Sequence, residues 1–568
     1  MYYDDCTYRR GNRTYRRDLL RESYRVGGKV VKRTVANITP WPAGVKRAIR
    51  EELAAGRRGP GKVAGAGATD GAGMLAAVAA REGFGLEQGD SVGAVWLLHE
   101  LAQRTGVAAA LGRDRAGKLA LWQVLARTLE QGSRLSAVRL ARTQAVGAVL
   151  GLGEFSEDDL YANLDWLAAH QEGIEDRLFR ARYGVGGKPE LFLYDVTSSY
   201  FEGTQNELAA FGYNRDGKKG KKQLVVGALT DQAGWPLSVE AFRGNTNDPA
   251  TVASQVTKLA GRFGGGEVTL VGDRGMLKGP QLADLAAHGM HYLTAITKPQ
   301  IEALLGSGTL QLELFDEELA EVADLAAGVR YVIRRNPAQT WRLADRRADQ
   351  LATWEGRLAA RNTYLAAHPR AQVATALQTL TGLAGRLKLS SWLSPQAEGR
   401  TLRAVMDASA RAEVAKLDGC YVLKTDLKPA QATKETLDAR YRSLAQVERE
   451  FRTSKTAHLE QRPVYVRRES RTRGHLLVVM LAYCLVNDLT ARWAGLDVTV
   501  REGLHELREL CLTELVLPTG ARLAEIPRPR PSSQRLLAAA GVELPTLLPA
   551  PTADVDTKRK LQARRNQR

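Results

Sequence analysis

From residue 91 to residue 182 the apolar positions recur at helical spacing, as in Val95, Leu98, Leu101 and Ala102. Within this stretch AVWLLHELAQRTGVAAALG reads as helix, turn at Gly106, helix, which fits either a helix-turn-helix reader of DNA or ordinary core packing. From residue 190 the rhythm changes to short apolar runs. Leu191-Phe192-Leu193-Tyr194 closes on Asp195, and the runs 223–229 and 236–242 are joined by Asp231-Gln232-Ala233-Gly234, a hairpin signal. Asp248-Pro249 marks a helix start, N-cap then proline, for a helix that should reach about Phe263 and stop in three glycines. A strand at 268–271 then ends in Gly272-Asp273-Arg274-Gly275, and 292–296 makes one more. The order is strand, hairpin of two strands, helix, strand, strand.

Beyond residue 298 this rhythm breaks. Tyr331-Val332-Ile333 and Tyr421-Val422-Leu423 read as strands flanking a long, charged helical region around 340–390, an inserted subdomain. A helix follows around 433–455. The run from Leu476 to Val486 is eleven apolar residues, too short to span a bilayer and better read as a buried helix. At the other end of the chain, 19–35 reads as a hairpin about Gly27-Gly28, and 56–75 as a Gly/Ala-rich linker.

Charge adds a partner to this picture. The 568 residues carry 81 Lys and Arg against 63 Asp and Glu, a net +18, and 44% are hydrophobic, which fits a globular chain with a polyanionic partner, nucleic acid first. Residues 1–50 hold thirteen bases against four acids, with five tyrosines interleaved, which suits phosphate contact plus stacking or a solvated basic edge. The four cysteines are scattered without a CxxC pair, so neither a disulfide framework nor a thiolate zinc site is expected. The opening residues lack the layout of a signal peptide, and a soluble, cytoplasmic, nucleoid-associated protein without membrane contact is expected. Gly56 to Lys62 spells GxxxxGK, but Val63 stands where a phosphate-binding loop needs Ser or Thr and no strand precedes it, so no nucleotide site is expected.

Candidate chemistry rests on carboxylates. Asp195 and Asp273 end strands that the element order places side by side, and two such groups repel unless a divalent cation lies between them; oxygen-only ligation suits Mg²⁺ or Mn²⁺. On the helix around 433–455, Tyr441, Glu448 and Lys455 stand at i, i+7 and i+14, which returns to nearly one face. Glu448 can add a third carboxylate, and Tyr441 and Lys455 can hold phosphate oxygens. The plain alternatives are strand-end turn residues and a solvated charged face. Lys218, Lys219, Lys221 and Lys222 form a basic loop, either a contact for the DNA backbone or simply solvated. His505 begins HELREL, which lacks the second histidine of a zinc protease.

The segments LFLYDVTSSYFEG (191–203), LVGDRGML (270–277) and YRSLAQVEREFRTSKTAHLEQRPVYVR (441–467) resemble the bacterial insertion-sequence DDE transposases with a Tyr–Glu–Lys signature helix. GYNRDGKKGKKQLVVGAL, FRGNTND, ESYRVGGKVVKRTVANI and RTRGHLLVVMLAYCL add to the likeness, in the family's order. The resemblance implies an α/β, RNase H-like mixed-sheet core, split by an insertion and preceded by a basic hairpin and a mainly helical region. It assigns Asp195, Asp273 and Glu448 as catalytic, metal-binding residues for Mg²⁺ or Mn²⁺, two ions in all. Tyr441, Lys455, Arg452, Lys221 and Lys222 become DNA contacts. Related signatures carry arginine three residues after the tyrosine, where this chain has Leu444; Arg442, Arg449 and Arg452 are candidates to replace it.

The expected organisation is a DNA-contacting hairpin (1–55), linker (56–75), helical DNA-binding domain (76–185), first part of the core (186–297), insertion (298–430), second part with the signature helix (431–518) and a basic Pro-rich tail (519–568). The expected function is cleavage of a mobile element's ends and joining of the 3′-hydroxyl to target DNA. Double-stranded DNA and a homodimeric assembly are the implied partners. A metal-dependent structure-specific nuclease, or an inactive DNA-binding relic, remains open at this stage.

Overall fold

The computed structural model describes residues 2–10, 13–26, 29–39, 46, 47, 49, 50 and 53, then 85–516 apart from 204, 265, 456–458 and 463–465, and finally 522–545 and 548. The Gly27-Gly28 turn, the 56–75 linker with its GxxxxGK match, and the extreme C-terminus lie outside these residues. The chain divides into two compact units: 1–101 with 134–156 and 488–568, and 102–133 with 157–487. The region 76–185, expected as one helical domain, is therefore shared between them.

The first unit holds β1 (Tyr2–Arg10), β2 (Arg13–Val26) and β3 (Lys29–Asn37) as one antiparallel sheet, so the expected hairpin gains a third strand. Arg16 and Arg50 pair with Asp5, Arg21 with Asp4 and Lys46 with the buried Asp18, so part of the basic charge is neutralised internally. A second sheet joins β4 (Gly85–Ser91) to β15 (Cys511–Val516) and β16 (Arg522–Glu525). The helix Pro531–Ala540 buries Leu536 and Leu537 and accepts a hydrogen bond from Trp493 Nε1 at Leu536 O, 3.0 Å. The first part of the expected basic Pro-rich tail thus forms a strand and a helix.

The second unit is built on an eight-stranded mixed sheet. Its strands are β5 (Leu191–Tyr200), β6 (Gln223–Asp231), β7 (Pro236–Phe242), β8 (Thr269–Gly272), β9 (His291–Ala295), β10 (Ala320–Asp324), β11 (Val329–Arg335) and β14 (Cys420–Thr425). They lie in the order β10-β11-β14-β9-β8-β5-β6-β7. β5, β6 and β7 form an antiparallel meander, and β8 and β9 then continue parallel to β5. That arrangement, 3-2-1-4-5 in order of appearance, with the helix Asp248–Gly261 between the third and fourth strands and Gly279–Ala287 between the fourth and fifth, is an RNase H-like core. β6 is buried along its whole length, which explains its near-continuous apolar sequence. The N-cap of the helix after β7 is Asn247, whose side chain accepts from Ala250 N at 3.1 Å; Asp248, expected as the cap, lies one position inside.

β11 and β14 belong to this sheet, so the excursion from it is 336–419, narrower than the expected 298–430. The excursion contains the helices Pro337–Ala367 and Val373–Arg386 and the hairpin of β12 (Leu393–Glu398) and β13 (Thr401–Met406), around its own core of Trp354, Leu380, Trp392 and Leu402. A buried polar network fastens the helix Glu157–Tyr183 to the sheet. Arg262 reaches Asp176 at 2.9 Å and Glu175 at 3.0 Å, and Ser238 Oγ on β7 donates to Glu175 at 2.9 Å. The apolar run 476–486 lies within the helix Glu469–Arg492, which is long and apolar enough to cross a membrane, yet 78% of its apolar window is buried inside the protein. The expected second helix of a helix-turn-helix, Val107–Leu111, has five residues, four of them buried, so it offers no reading face.

Candidate active site

Asp195 stands in the middle of β5, not at its end: the strand continues to Tyr200 because Val196, Thr197, Ser198 and Ser199 keep pairing with β6. The parallel register sets Tyr194 against Gly272, so Asp195 and Asp273 each come one residue after the last paired position. Burial pushes the Asp195 carboxyl up to about 7; the Val196 N–H (2.7 Å) and Arg215 pull it down, while the charges of Asp273 and Glu448 add to the rise.

Asp273 opens a tight turn just past β8. Met276 N–H returns to Asp273 O at 3.1 Å, and Gly275 in between has φ +79°, a conformation that favours glycine. The Asp273 side chain accepts from Arg274 N–H at 2.6 Å, and Thr294 Oγ1 on β9 donates to its carbonyl at 3.2 Å. The Tyr441 hydroxyl donates to Asp273 Oδ1 at 3.2 Å. Burial and then the charge of Asp273 hold that hydroxyl well above the usual phenol range.

Tyr441 and Glu448 lie on separate helices, Lys434–Arg442 and Ala445–Lys455, which corrects the expectation of one continuous helix over 433–455. At the break Leu444 N–H bonds Tyr441 O (3.1 Å), Gln446 N–H bonds Ser443 O (2.9 Å) and Val447 N–H bonds Leu444 O (3.0 Å), the closer i→i+3 spacing of a 3₁₀ turn. Ser443 Oγ bonds back to Ala439 O at 3.1 Å. Leu444 is buried at this junction, so the position that related signatures give to arginine is here an apolar packing point. Of the candidates to replace that arginine, Arg442 is paired with Asp438, while Arg449 and Arg452 are exposed.

The first helix is gripped from below. Buried Asp438 accepts from Tyr421 Oη on β14, from Arg334 on β11 (2.7 Å) and from Arg442. The Tyr421 ring also stacks on Tyr441, centroids 6.5 Å apart. The second helix packs on β5 and β6 with Val447, Glu450, Phe451 and Ser454 inward, while Glu448 is exposed. Lys455 is held by Asp216, 2.9 Å away, and Asp216 also accepts from Tyr200 N–H at 3.1 Å. Next to it, Arg215 pairs with both carboxylate oxygens of Asp248 at 2.6 Å. Asp216 and Asp248 were not foreseen; the one signal was a lone acid placed among lysines in the segment 212–222. Lys221 faces Glu202 at 3.5 Å and Lys222 lies 6.0 Å over the Phe211 ring, both exposed.

Asp195, Asp273 and Glu448 are therefore close enough to share an electrostatic field. Among the described residues, no three His, Cys, Asp or Glu side chains converge to ligand distance. The donor set itself suits a hard divalent cation, because it is all oxygen. Bringing Glu448 in would complete it.

A family model described as a transposase DDE domain matches residues 186–485, more than half of the chain. The chain belongs to this family. The IS1634 family transposase N-terminal domain matches residues 6–64, which places this transposase among those of bacterial insertion sequences. A cryo-EM structure of the piggyBac transposase synaptic complex with hairpin DNA is similar at 8% identity and a TM-score of 0.33, over 72% of this chain and 76% of that one. None of the curated proteins matches the chain. The transposase is a DNA-acting enzyme by family.

Proposed function

We propose that the transposase cleaves the ends of its own mobile element and joins the freed 3′-hydroxyl to target DNA, with Asp195, Asp273 and Glu448 holding two Mg²⁺ or Mn²⁺ ions. The observation that carries this reading is the pairing of Tyr194 with Gly272, after which Asp195 continues β5 and Asp273 opens the turn past β8, both within the field of Glu448. Bound there, the ions would supply activation of the attacking oxygen and neutralise charge on the leaving 3′-oxygen. The chain's own part is to orient them: the sheet fixes Asp195, the Gly275 turn and Tyr441 aim Asp273, and the second helix presents Glu448. Tyr441, Lys455, Arg452, Lys221 and Lys222 contact the DNA backbone, Lys455 after parting from Asp216. A homodimer acts on paired ends.

The test is a nicking and joining assay in Mg²⁺ on DNA from either side of the gene, with wild type against Asp273→Asn. Ends with 3′-hydroxyls that go on to join a target, lost in the variant, support the reading. Cutting without joining leaves a nuclease, and binding without cutting leaves a relic. Asp195→Asn and Glu448→Gln should each abolish cleavage while DNA binding stays nearly intact; normal cleavage by either removes that residue from the assignment.

A further inference from the structure

The loop between β5 and β6 carries two aromatic rings facing solvent beside the catalytic carboxylates. Phe211 is 64% exposed and Tyr213 84%. Single exposed apolar side chains are ordinary, but three features set this pair apart.

The first is a pinned backbone. Ala210 forms a β-bridge with Gln223, and the buried Gln223 amide donates to Tyr213 O at 3.0 Å and to Gly244 O at 2.7 Å. Gly212, between the two rings, lies so close to Gly244 that a Cβ would stand 2.2 Å from its carbonyl oxygen. The rings are thus displayed from a fixed platform rather than left outside by a loose loop.

The second is charge. The Lys222 ammonium lies 6.0 Å from the Phe211 centroid and the Arg215 guanidinium 6.0 Å from that of Tyr213, with Lys218, Lys219 and Lys221 exposed on the same loop. Rings interleaved with cations are what binds unpaired nucleic acid, because any base offers a face to stack and each phosphate a charge to meet. The third is position. Arg215 acts on the charge of Asp195, and the next residue, Asp216, holds Lys455 on the helix of Glu448.

We propose that Phe211 and Tyr213 stack on unpaired DNA bases next to the phosphodiester being cut. The proposal rests on the reading of the site as one that cuts DNA, and it adds a requirement that fully paired DNA does not meet: the strand must open locally for its bases to reach the rings.

Fluorescence anisotropy with the full-length protein tests it, using two probes of the DNA flanking the gene. One ends flush and the other carries an unpaired thymine tract. Phe211→Ala with Tyr213→Ala should weaken binding of the overhang probe by roughly fivefold to a hundredfold, the range for losing a stacked base, while flush-end binding changes by less than about twofold. Phe211→Trp with Tyr213→Trp should restore overhang binding, and Phe211→Leu with Tyr213→Leu should not. Equal losses on both probes, no loss on either, or full rescue by leucine overturns the proposal. A wild-type protein that binds the flush probe yet never cuts DNA overturns the underlying reading instead, so the two failures are distinguishable.

Discussion

Replacing Glu450 by glutamine isolates the effect of one buried proton. Glu450 sits on the inward face of the helix that carries Glu448, and its Oε2 has no hydrogen-bond partner. Tyr483 and Cys484 on the helix Glu469–Arg492 are the titratable groups facing it. Burial alone raises its carboxyl from 4.5 to about 8, so at neutral pH the folded protein holds it protonated. A raised pKa contributes stability that is complete below about pH 4.5, where both folded and unfolded chains bind the proton, and that is lost as pH climbs through the folded value. At pH 7 about two and a half of the three and a half units have been traversed; at ~1.4 kcal/mol per unit, the wild type has lost about 3–4 kcal/mol, and by pH 8 about 4–5. Glutamine has the shape of the protonated acid but no proton to lose, so Glu450→Gln should match wild type near pH 4.5 and gain steadily above it. Thermal melting of both proteins from about pH 5 to pH 8 reads this directly. The gap in melting midpoint should open with pH. A gap that stays constant across the range would refute the premise that this carboxyl is buried without a partner.

Other outcomes follow from the polar contacts. Arg262→Ala should lower stability by about 3 kcal/mol, because Glu175 loses its ion pair and keeps only hydrogen bonds from Ser238 and Gln171 beside the Lys258 charge, and Glu175→Gln in the same background should recover part of the loss in a melting experiment. Tyr441→Phe removes the hydrogen bond to Asp273, worth about 1.5–3 kcal/mol when one partner is charged; cleavage at saturating DNA should fall about tenfold or more, and an unchanged rate would remove Tyr441 from the alignment of Asp273. Binding should weaken steeply as salt rises, through release of counterions from the DNA, and a flat titration would mean that the +18 charge serves something other than phosphate.

The central strands of the large sheet were legible in the sequence because they are buried on both faces, so apolar runs closing on Asp195 and Gly272-Asp273 marked β5 and β8 without any alternation. The hairpin at 231–234 and the helix after Asn247 were legible from turn and capping chemistry that acts within four residues. What escaped was set by distant partners. β1 and β4 are polar segments that become strands only by pairing with β2 and β15, and nothing in TYRR or LEQGDS announces that. The break after Arg442 escaped because serine and leucine are both acceptable in a helix, and burial of Leu444 decides the matter. The sequence could offer Asp195, Asp273 and Glu448 as candidates, whereas the hold of Asp216 on Lys455 spans 239 positions and could not be read from it.

The excursion at 336–419 leaves the sheet through β11 and returns through β14, and both roots take hold of one buried carboxylate. Arg334 stands on the outgoing strand and Tyr421 on the returning one, and each bonds Asp438, one helical turn before Tyr441. The excursion thus works as a handle. Its roots and the helix of Tyr441 are joined by hydrogen bonds to one buried acid rather than by slack chain. Glu448 sits beyond the Ser443–Leu444 turn, on the next helix, so these two roots fasten the helix that carries Tyr441 and not the one that carries Glu448. The two strands that root the excursion bear none of the three acids, yet they supply two of the side chains that anchor the helix of Tyr441.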